Sequence, residues 1–438
     1  MIGRSVRAHV PRVPRWSVAP PGVGGRTLHD YRIVQRDAIA VGFSSAAAPF
    51  LGVYLARFGA TPFDLGLISS LPSIAGLVLA IPLGQFLLRR TSIPRWLGVN
   101  RMIAHAAYGV IGLLPFFVPA QAVVPVAIAI WVATSVPQLI VPIAFNVVMS
   151  MIAGPNGRFE LLSRRWSIAV LTTALTVAAA GRVLDLLPFP LNYQAVLITL
   201  TLAGPVSMYL MTRLRMPERE IPPPAPAALP VRARAISFME LIRGQPAFVS
   251  FIVRQLPFTV GARMALPLIP LFYVSTLNAT DGQIGLIATV QSFALLVGYL
   301  LWTRLWRRRG GRIILLVCGL GLACYPASLA ISRDIGFVLL VTALSSLFSA
   351  GLQLVLFDEL MRRVPVAYSP TFVAVEQNVA HIAGLVGPLL GAALAAVVGF
   401  PAALGLASAI SLIGYILLAL DGRQPRMSAE AGAGAAAA

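Results

Sequence analysis

Twelve long apolar runs, hydrophobic on every face rather than along one stripe, occupy most of the chain, at 38–55, 65–88, 97–119, 122–148, 166–187, 193–212, 247–275, 284–303, 313–332, 335–357, 371–398 and 401–420. A hydrocarbon core about 30 Å thick is crossed by roughly 20 residues of helix, so each run is long enough to cross. The tightest joins are marked by Pro119 and by Gly399-Phe400-Pro401, residues that end helices. Strands of a membrane barrel would alternate in character over segments of about ten residues, and these runs do not. The pattern predicts an all-α integral membrane protein with twelve transmembrane helices. Composition agrees: 58% of residues are hydrophobic, 11% are charged and the mean hydropathy is +0.84, outside the range of water-soluble domains.

Charge fixes the orientation. The 34 basic residues, every one an arginine, stand against 15 acids for a net charge of +19, an excess that by itself suggests nucleic acid. Their placement points elsewhere. Arginines cluster before span one, after spans two, four, six, eight and ten, and after the last span, whereas the opposite side holds only Arg57, Arg182 and Arg333. Such alternation is the positive-inside pattern, so both termini are expected in the cytoplasm, with anionic lipids as partners at that face and no nucleic acid. Residues 1–37 are read as a basic cytoplasmic tail, because Pro11, Pro14, Pro20 and Pro21 forbid the amphipathic helix of a transit peptide. Residues 421–438, rich in alanine and glycine, read as a second tail. The arginine-only, alanine-rich composition suggests a bacterial cell membrane.

The chain repeats itself. Gly59–Arg90 aligns without a gap on Asn278–Arg309, pairing Ala60 with Ala279, Thr61 with Thr280, Gly66-Leu67-Ile68 with Gly285-Leu286-Ile287, Ser73 with Ser292 and Arg89-Arg90 with Arg308-Arg309. Two six-helix halves follow, 38–212 and 247–420. The linker 213–246 between them holds Pro222-Pro223-Pro224 and Pro226, which favour an extended tether. Parallel six-helix repeats place a substrate site at their interface, near the bilayer midplane.

On these features residues 30–420 resemble the major facilitator superfamily, whose loops between spans two and three and between eight and nine carry a Gly-x-x-x-Asp-Arg-x-Gly-Arg-Arg motif. The first copy here is Gly84-Gln85-Phe86-Leu87-Leu88-Arg89-Arg90 and the second runs from Thr303 to Arg312. Gly84, Arg89, Arg90, Arg308 and Arg309 are the candidate gate residues, and the family's acid is replaced by Leu88 and Arg307. A Gly-Pro motif of antiporters is missing from Thr172–Leu187, while a similar Gly384-x-x-Gly387-Pro388-x-x-Gly391 stands in span eleven. The resemblance implies that spans one, four, seven and ten line a central cavity.

Polar residues within spans are costly unless solvated or paired, by about 2.5–3.5 kcal/mol for a charge on insertion scales, so few candidates exist. Arg263 lies about 16 residues, roughly 24 Å, into span seven. It is read as an anchor for an anionic or hydrogen-bonding group of the substrate, or as half of a structural pair. Gln138 and Asn146 share one face of span four with Pro142, and Gln353 lies in span ten; these complete the candidate substrate-binding set. Glu376 is the acid placed farthest inside a span and is read as a proton carrier, or as an interfacial partner of an arginine such as Arg165. His381, deeper in span eleven, is read as a relay or a packing residue. Asp37 with Arg36, Asp358 with Arg362 and Arg182 with Asp185 are read as structural or gate pairs.

Other chemistry finds no support. Without lysine there is no phosphate-binding glycine loop of the ATPase kind, and no nucleophile elbow occurs. His9, His29, His105 and His381 are scattered, and Cys318 and Cys324 stand about 9 Å apart along a helix, too far to bridge. Neither a metal site, a cofactor nor an enzyme is expected. The expected function is secondary active transport by alternating access: proton-coupled efflux of small amphipathic or drug-like solutes by a monomer. Alternatives are a symporter or facilitator for a small anionic or polar metabolite, and a non-transporting membrane receptor on the same fold.

Overall fold

The computed structural model describes residues 25–88, 90, 92–215, 244–363 and 369–420, which are helical apart from turns and short joins. Twelve helical stretches are long and apolar enough to cross a membrane: Leu28–Arg57, Pro62–Ala80, Ile93–Phe116, Ala120–Met149, Arg164–Leu186, Leu191–Thr212, Pro246–Thr276, Asp281–Trp306, Gly311–Ala330, Ile335–Leu360, Val375–Val398 and Phe400–Leu420. They are called spans one to twelve. With an even number of crossings, both ends of the bundle lie on one face, the termini face; the opposite is the far face. The bulk of both proposed tails and of the linker, residues 1–24, 216–243 and 421–438, lies outside the described residues.

Span one corrects the reading of residues 1–37 as tail, because its first helix already runs from Gly25 to Ser45. The added turns escape a hydropathy reading because they bury acids along with apolar groups. Tyr31, Ile33, Val34, Asp30 and Asp37 are all buried.

The internal repeat has a physical meaning at its start. Gly59 and Asn278 occupy equivalent turns and both hold positive φ, 85° and 48°, the left-handed region that glycine and asparagine tolerate best. Ala60 and Ala279 are buried just after. Thr61 and Thr280 then cap the next helix: Asp64 N donates to Thr61 Oγ1 while Thr61 N donates to Asp64 Oδ2, and Gln283 and Thr280 exchange the same two bonds. Both are capping boxes.

Spans four and five are joined by helical backbone throughout, Ser135–Leu186, yet the guanidinium of Arg165 lies 4.3 Å from the centre of the Phe145 ring. Twenty residues of straight helix would separate them by about 30 Å, so the chain reverses between them. Other spans are interrupted inside the bundle: span one at Ala46-Ala47, span four at Thr134, span six at Leu202, and span seven at Leu266-Pro267, followed by a π turn over Phe272–Thr276. Span ten stays whole, Ile335–Arg362.

Three apolar cores hold the bundle. One lies toward the far face and is shared by both halves, running from Phe50 and Tyr54 through Trp131 and Tyr193 to Phe272, Ile284 and Leu404. The other two lie toward the termini face and each belongs to one half: Tyr31, Leu97, Val148 and Met211 in the first, and Phe248, Trp302, Leu360 and Phe372 in the second. The halves therefore close on each other at the far face. Helix crossings there are tight: a Cβ added to Gly181 of span five would lie 3.1 Å from the Cα of Gly285 in span eight.

Candidate functional site

Broken helices concentrate near the middle of the bundle, where hydroxyl side chains add hydrogen bonds to backbone carbonyls. Thr134 Oγ1 donates to the carbonyls of Ile130 and Trp131, and Ser44 Oγ to that of Val41. Arg263 sits in the last turn of the helix Pro246–Ala265, just before the break in span seven. Its side chain is exposed and makes no hydrogen bond or ion pair among the described residues. Its neighbour is span eleven: a Cβ on Gly387 would lie 2.6 Å from Arg263 Cβ. His381, also of span eleven, is within electrostatic range of that guanidinium, and its ring lies against Gly76 of span two. Arg263 and His381 thus meet where the two halves touch.

The Gly384-x-x-Gly387-Pro388-x-x-Gly391 stretch is a packing surface here. Gly384 faces Ser73 of span two, while Gly387 and Gly391 face the backbone of span seven at Val260 and Met264. Span eleven is thereby wedged between the halves, with one face on each.

Glu376 lies on span eleven toward the termini face and lines a small pocket with Ile252, Gln255, Leu256 and Thr259 of span seven, and Val379. The pocket has a volume of about 10 Å³, the room of one water molecule. Gln377 Nε2 donates to Glu376 Oε2 at 3.1 Å. Thr259 Oγ1 donates to the carbonyl of Gln255, and Gln255 Oε1 is buried without a hydrogen-bond donor. The alternative of an interfacial Glu376–Arg165 pair is overturned, because Arg165 belongs to another acid.

Other expected site residues are more dispersed. Gln138 Nε2 donates to Thr134 Oγ1 at the break in span four, and Asn146 is exposed and engaged by a neighbour. Gln353 accepts from the Tyr299 hydroxyl on span eight and donates to Ser349 Oγ. Gly84 has no neighbour within 4 Å of an added Cβ, and Arg89 lies outside the described residues. Arg90 stacks over Phe86 at 4.2 Å and near Trp96 at 5.3 Å, and Arg308 and Arg309 are exposed at the end of span eight.

Two polar clusters were not legible from sequence. Asp37 does not pair with Arg36: both its oxygens lie 2.8 Å from Arg101 NH1 of span three, Oδ2 lies 3.5 Å from Arg165 NH2 of span five, and Oδ1 accepts from Ser207 of span six. Asp37, Arg101 and Arg165 are each at most 3% exposed. Arg101, early in span three, and Arg165, at the start of span five, are buried members of this cluster. One acid faces two guanidinium groups, and Arg165 Nε has no acceptor.

The second cluster is at the far face and joins the halves. Asp281, first residue of span eight, accepts from Arg57 Nε and NH2 at the end of span one, and from Asn192 Nδ2 and the Tyr193 hydroxyl of span six. Arg57 NH2 also donates to the carbonyl of Ala279 at 2.7 Å. Arg182 and Asp185 form no pair; Asp185 rests against Gly282 of span eight instead. Arg57, an isolated arginine at the end of an apolar run, was the signal for this cluster, but its partner lies in the other half.

Residues 255–437 match the family model described as Major Facilitator Superfamily. No curated protein matches the sequence. Solved structures match over nearly the whole chain. A bacterial homologue of the iron transporter ferroportin in an inward-facing state is 15% identical with a TM-score of 0.68, the alignment covering 90% of this chain and 98% of that one. A bacterial homologue of the human lysosomal transporter Spinster, inward-facing and unoccupied, is 11% identical with a TM-score of 0.64, covering 92% and 98%. A POT family transporter in complex with a thioalcohol-conjugated peptide is 10% identical with a TM-score of 0.68, covering 90% and 96%. At these identities the likeness establishes the fold.

Proposed function

We propose that the chain is a membrane transporter of the major facilitator type that works by alternating access, exporting small amphipathic solutes in exchange for protons. The observation that carries the cargo side of this reading is Arg263, exposed and without a hydrogen bond or ion pair among the described residues, beside the break in span seven. A guanidinium within the bilayer is stabilised only by solvent or by an opposite charge, so a cargo with an anionic or strongly accepting head would supply the missing partner. Apolar walls would take the rest. Among drug-like solutes this favours acids and neutral acceptors over cations.

Glu376 is the proposed proton carrier. Its Oε1 receives no donor from the described residues, and it shares spans seven and eleven with Arg263 and His381, so a change at the carboxylate reaches the cargo site through two helices. The termini face is proposed as cytoplasmic, from the arginine alternation, in a bacterial cell membrane. The closed far face then leaves cargo to enter from the cytoplasm. Release on the other side requires opening the Asp281 cluster and the crossing at Gly181 and Gly285.

A symporter or facilitator for a small anionic metabolite is the second reading, favoured by the same Arg263. Inside-out vesicles holding a pH gradient test both. Release of the gradient by an amphipathic acid, abolished in Glu376→Gln, supports proton exchange. Arg263-dependent movement of a labelled anion without proton movement would replace it with the facilitator, and ligand binding without flux would leave a receptor.

A further inference from the structure

We propose that the pocket between spans seven and eleven is a binding site for a monovalent cation of sodium size, with Glu376, Gln255 and Thr259 as its oxygen ligands. It has the volume of one water or one small ion, about 10 Å³, and Gln255, Thr259 and Glu376 form its polar wall. Gln255 Oε1 is buried and receives no hydrogen bond. Glu376 accepts from Gln377 on Oε2, which leaves Oε1 unserved by any described donor. Thr259 Oγ1 commits its proton to the carbonyl of Gln255, so only lone pairs remain for a ligand. A buried acceptor left unmet, as Gln255 Oε1 is, is costly, and a cation held there would also meet the free lone pairs of Glu376 Oε1 and Thr259 Oγ1.

Ligand chemistry narrows the choice. The proposed ligand atoms are all oxygen, which suits a hard ion over a transition metal. A single carboxylate and a one-ion volume suit a singly charged ion, since calcium takes six to eight oxygens and magnesium keeps several waters. Ile252, Leu256, Val379 and Ala380 close the remainder of the wall with apolar groups and so limit its size. Thr259 lies one helical turn before Arg263, and Glu376 lies on the helix of His381, so the ion would bind to the same two helices as the cargo.

This inference rests on the reading of Glu376 as the coupling carboxylate, and it adds that sodium and the proton compete for one set of oxygens. The test is binding of radioactive sodium to the purified full-length protein in detergent, at constant ionic strength maintained with choline. Saturable binding displaced by lithium and not by choline is expected. Glu376→Gln should abolish it, and Gln255→Leu and Thr259→Val should each weaken it about tenfold or more, with every variant eluting as a single folded species. Absence of saturable binding in the folded wild type overturns the proposal, as does binding unchanged in Glu376→Gln and Gln255→Leu. If Glu376→Gln fails to fold, unchanged binding in both folded variants, Gln255→Leu and Thr259→Val, overturns it. The two readings fail separately. Glu376-dependent proton movement without sodium binding defeats only the sodium site, whereas sodium binding without proton movement defeats only the proton coupling.

Discussion

Arg57 grips Asp281 through two nitrogens, at 3.1 Å from Nε and 2.9 Å from NH2, and in doing so ties the end of span one to the start of span eight across the two halves. Asn192 and Tyr193 complete the hold on the same carboxylate. Bonds to an ionised group contribute about 1.5–3 kcal/mol each at most, and less where water reaches them; the Arg57 side chain is 27% exposed. Asp281→Asn is expected to shift the resting population toward opening at the far face. Spin-label distances between Asn278 and Pro188 positions, each changed to cysteine, should lengthen in the variant. An unchanged distribution would mean the apolar core alone keeps that face shut.

Gly181 and Gly285 set a geometric limit on the same closure. Gly181→Val places a branched side chain where the Cα of Gly285 stands 3.1 Å from even a Cβ, so the far face should fail to seal while each half still folds. Solvent accessibility of a cysteine at position 56 reports this, low in the parent and high in the variant.

Buried charge gives a stability prediction. Asp37→Asn leaves Arg101 and Arg165 without their counter-ion at almost complete burial, a loss of about 3–5 kcal/mol by analogy with other broken buried pairs. Ser207→Ala removes one hydrogen bond to the same acid and should cost about 1 kcal/mol. Thermal unfolding in detergent should rank Asp37→Asn well below Ser207→Ala, and an inverted order would show that the cluster is held by packing.

Arg263 should behave in the opposite way. Without a hydrogen bond or ion pair among the described residues it contributes little to folding, so Arg263→Gln should melt at or above the parent temperature. Affinity for an acidic cargo should fall about ten- to a hundredfold, the worth of a charged hydrogen bond. Arg263→Lys should recover only part of it, because the ammonium keeps the charge and loses the planar fork. A variant that binds cargo normally would remove Arg263 from the site.

The spans were legible in sequence because lipid demands unbroken apolar helices, and their limits differ chiefly where polar residues are buried. Asp30 and Asp37 hid the first turns of span one for that reason. The repeat was legible as matched letters, but the meaning of Gly59 against Asn278, a mismatch in letters, emerges only from their common left-handed backbone. Asn278→Val should destabilise the turn by about 1–2 kcal/mol, while Asn278→Gly should be neutral, as measured by thermal unfolding. Of the candidate site, the solitary charges Arg263 and Glu376 could be found from composition alone. The partners of Asp37 and Asp281 could not, since each lies on helices far apart in the chain and nothing in local spacing links Asp37 to Arg101 or Arg57 to Asp281.

The three apolar cores divide the labour of holding the molecule together. Because the far-face core draws on both halves, attachment between them does not depend on the chain running continuously from one to the other. A gene split within residues 216–243 should therefore yield two polypeptides that find each other in the membrane and co-purify. Because each termini-face core is closed within its own half, those ends can part as intact blocks, and hydrogen exchange there should report two independent units rather than one.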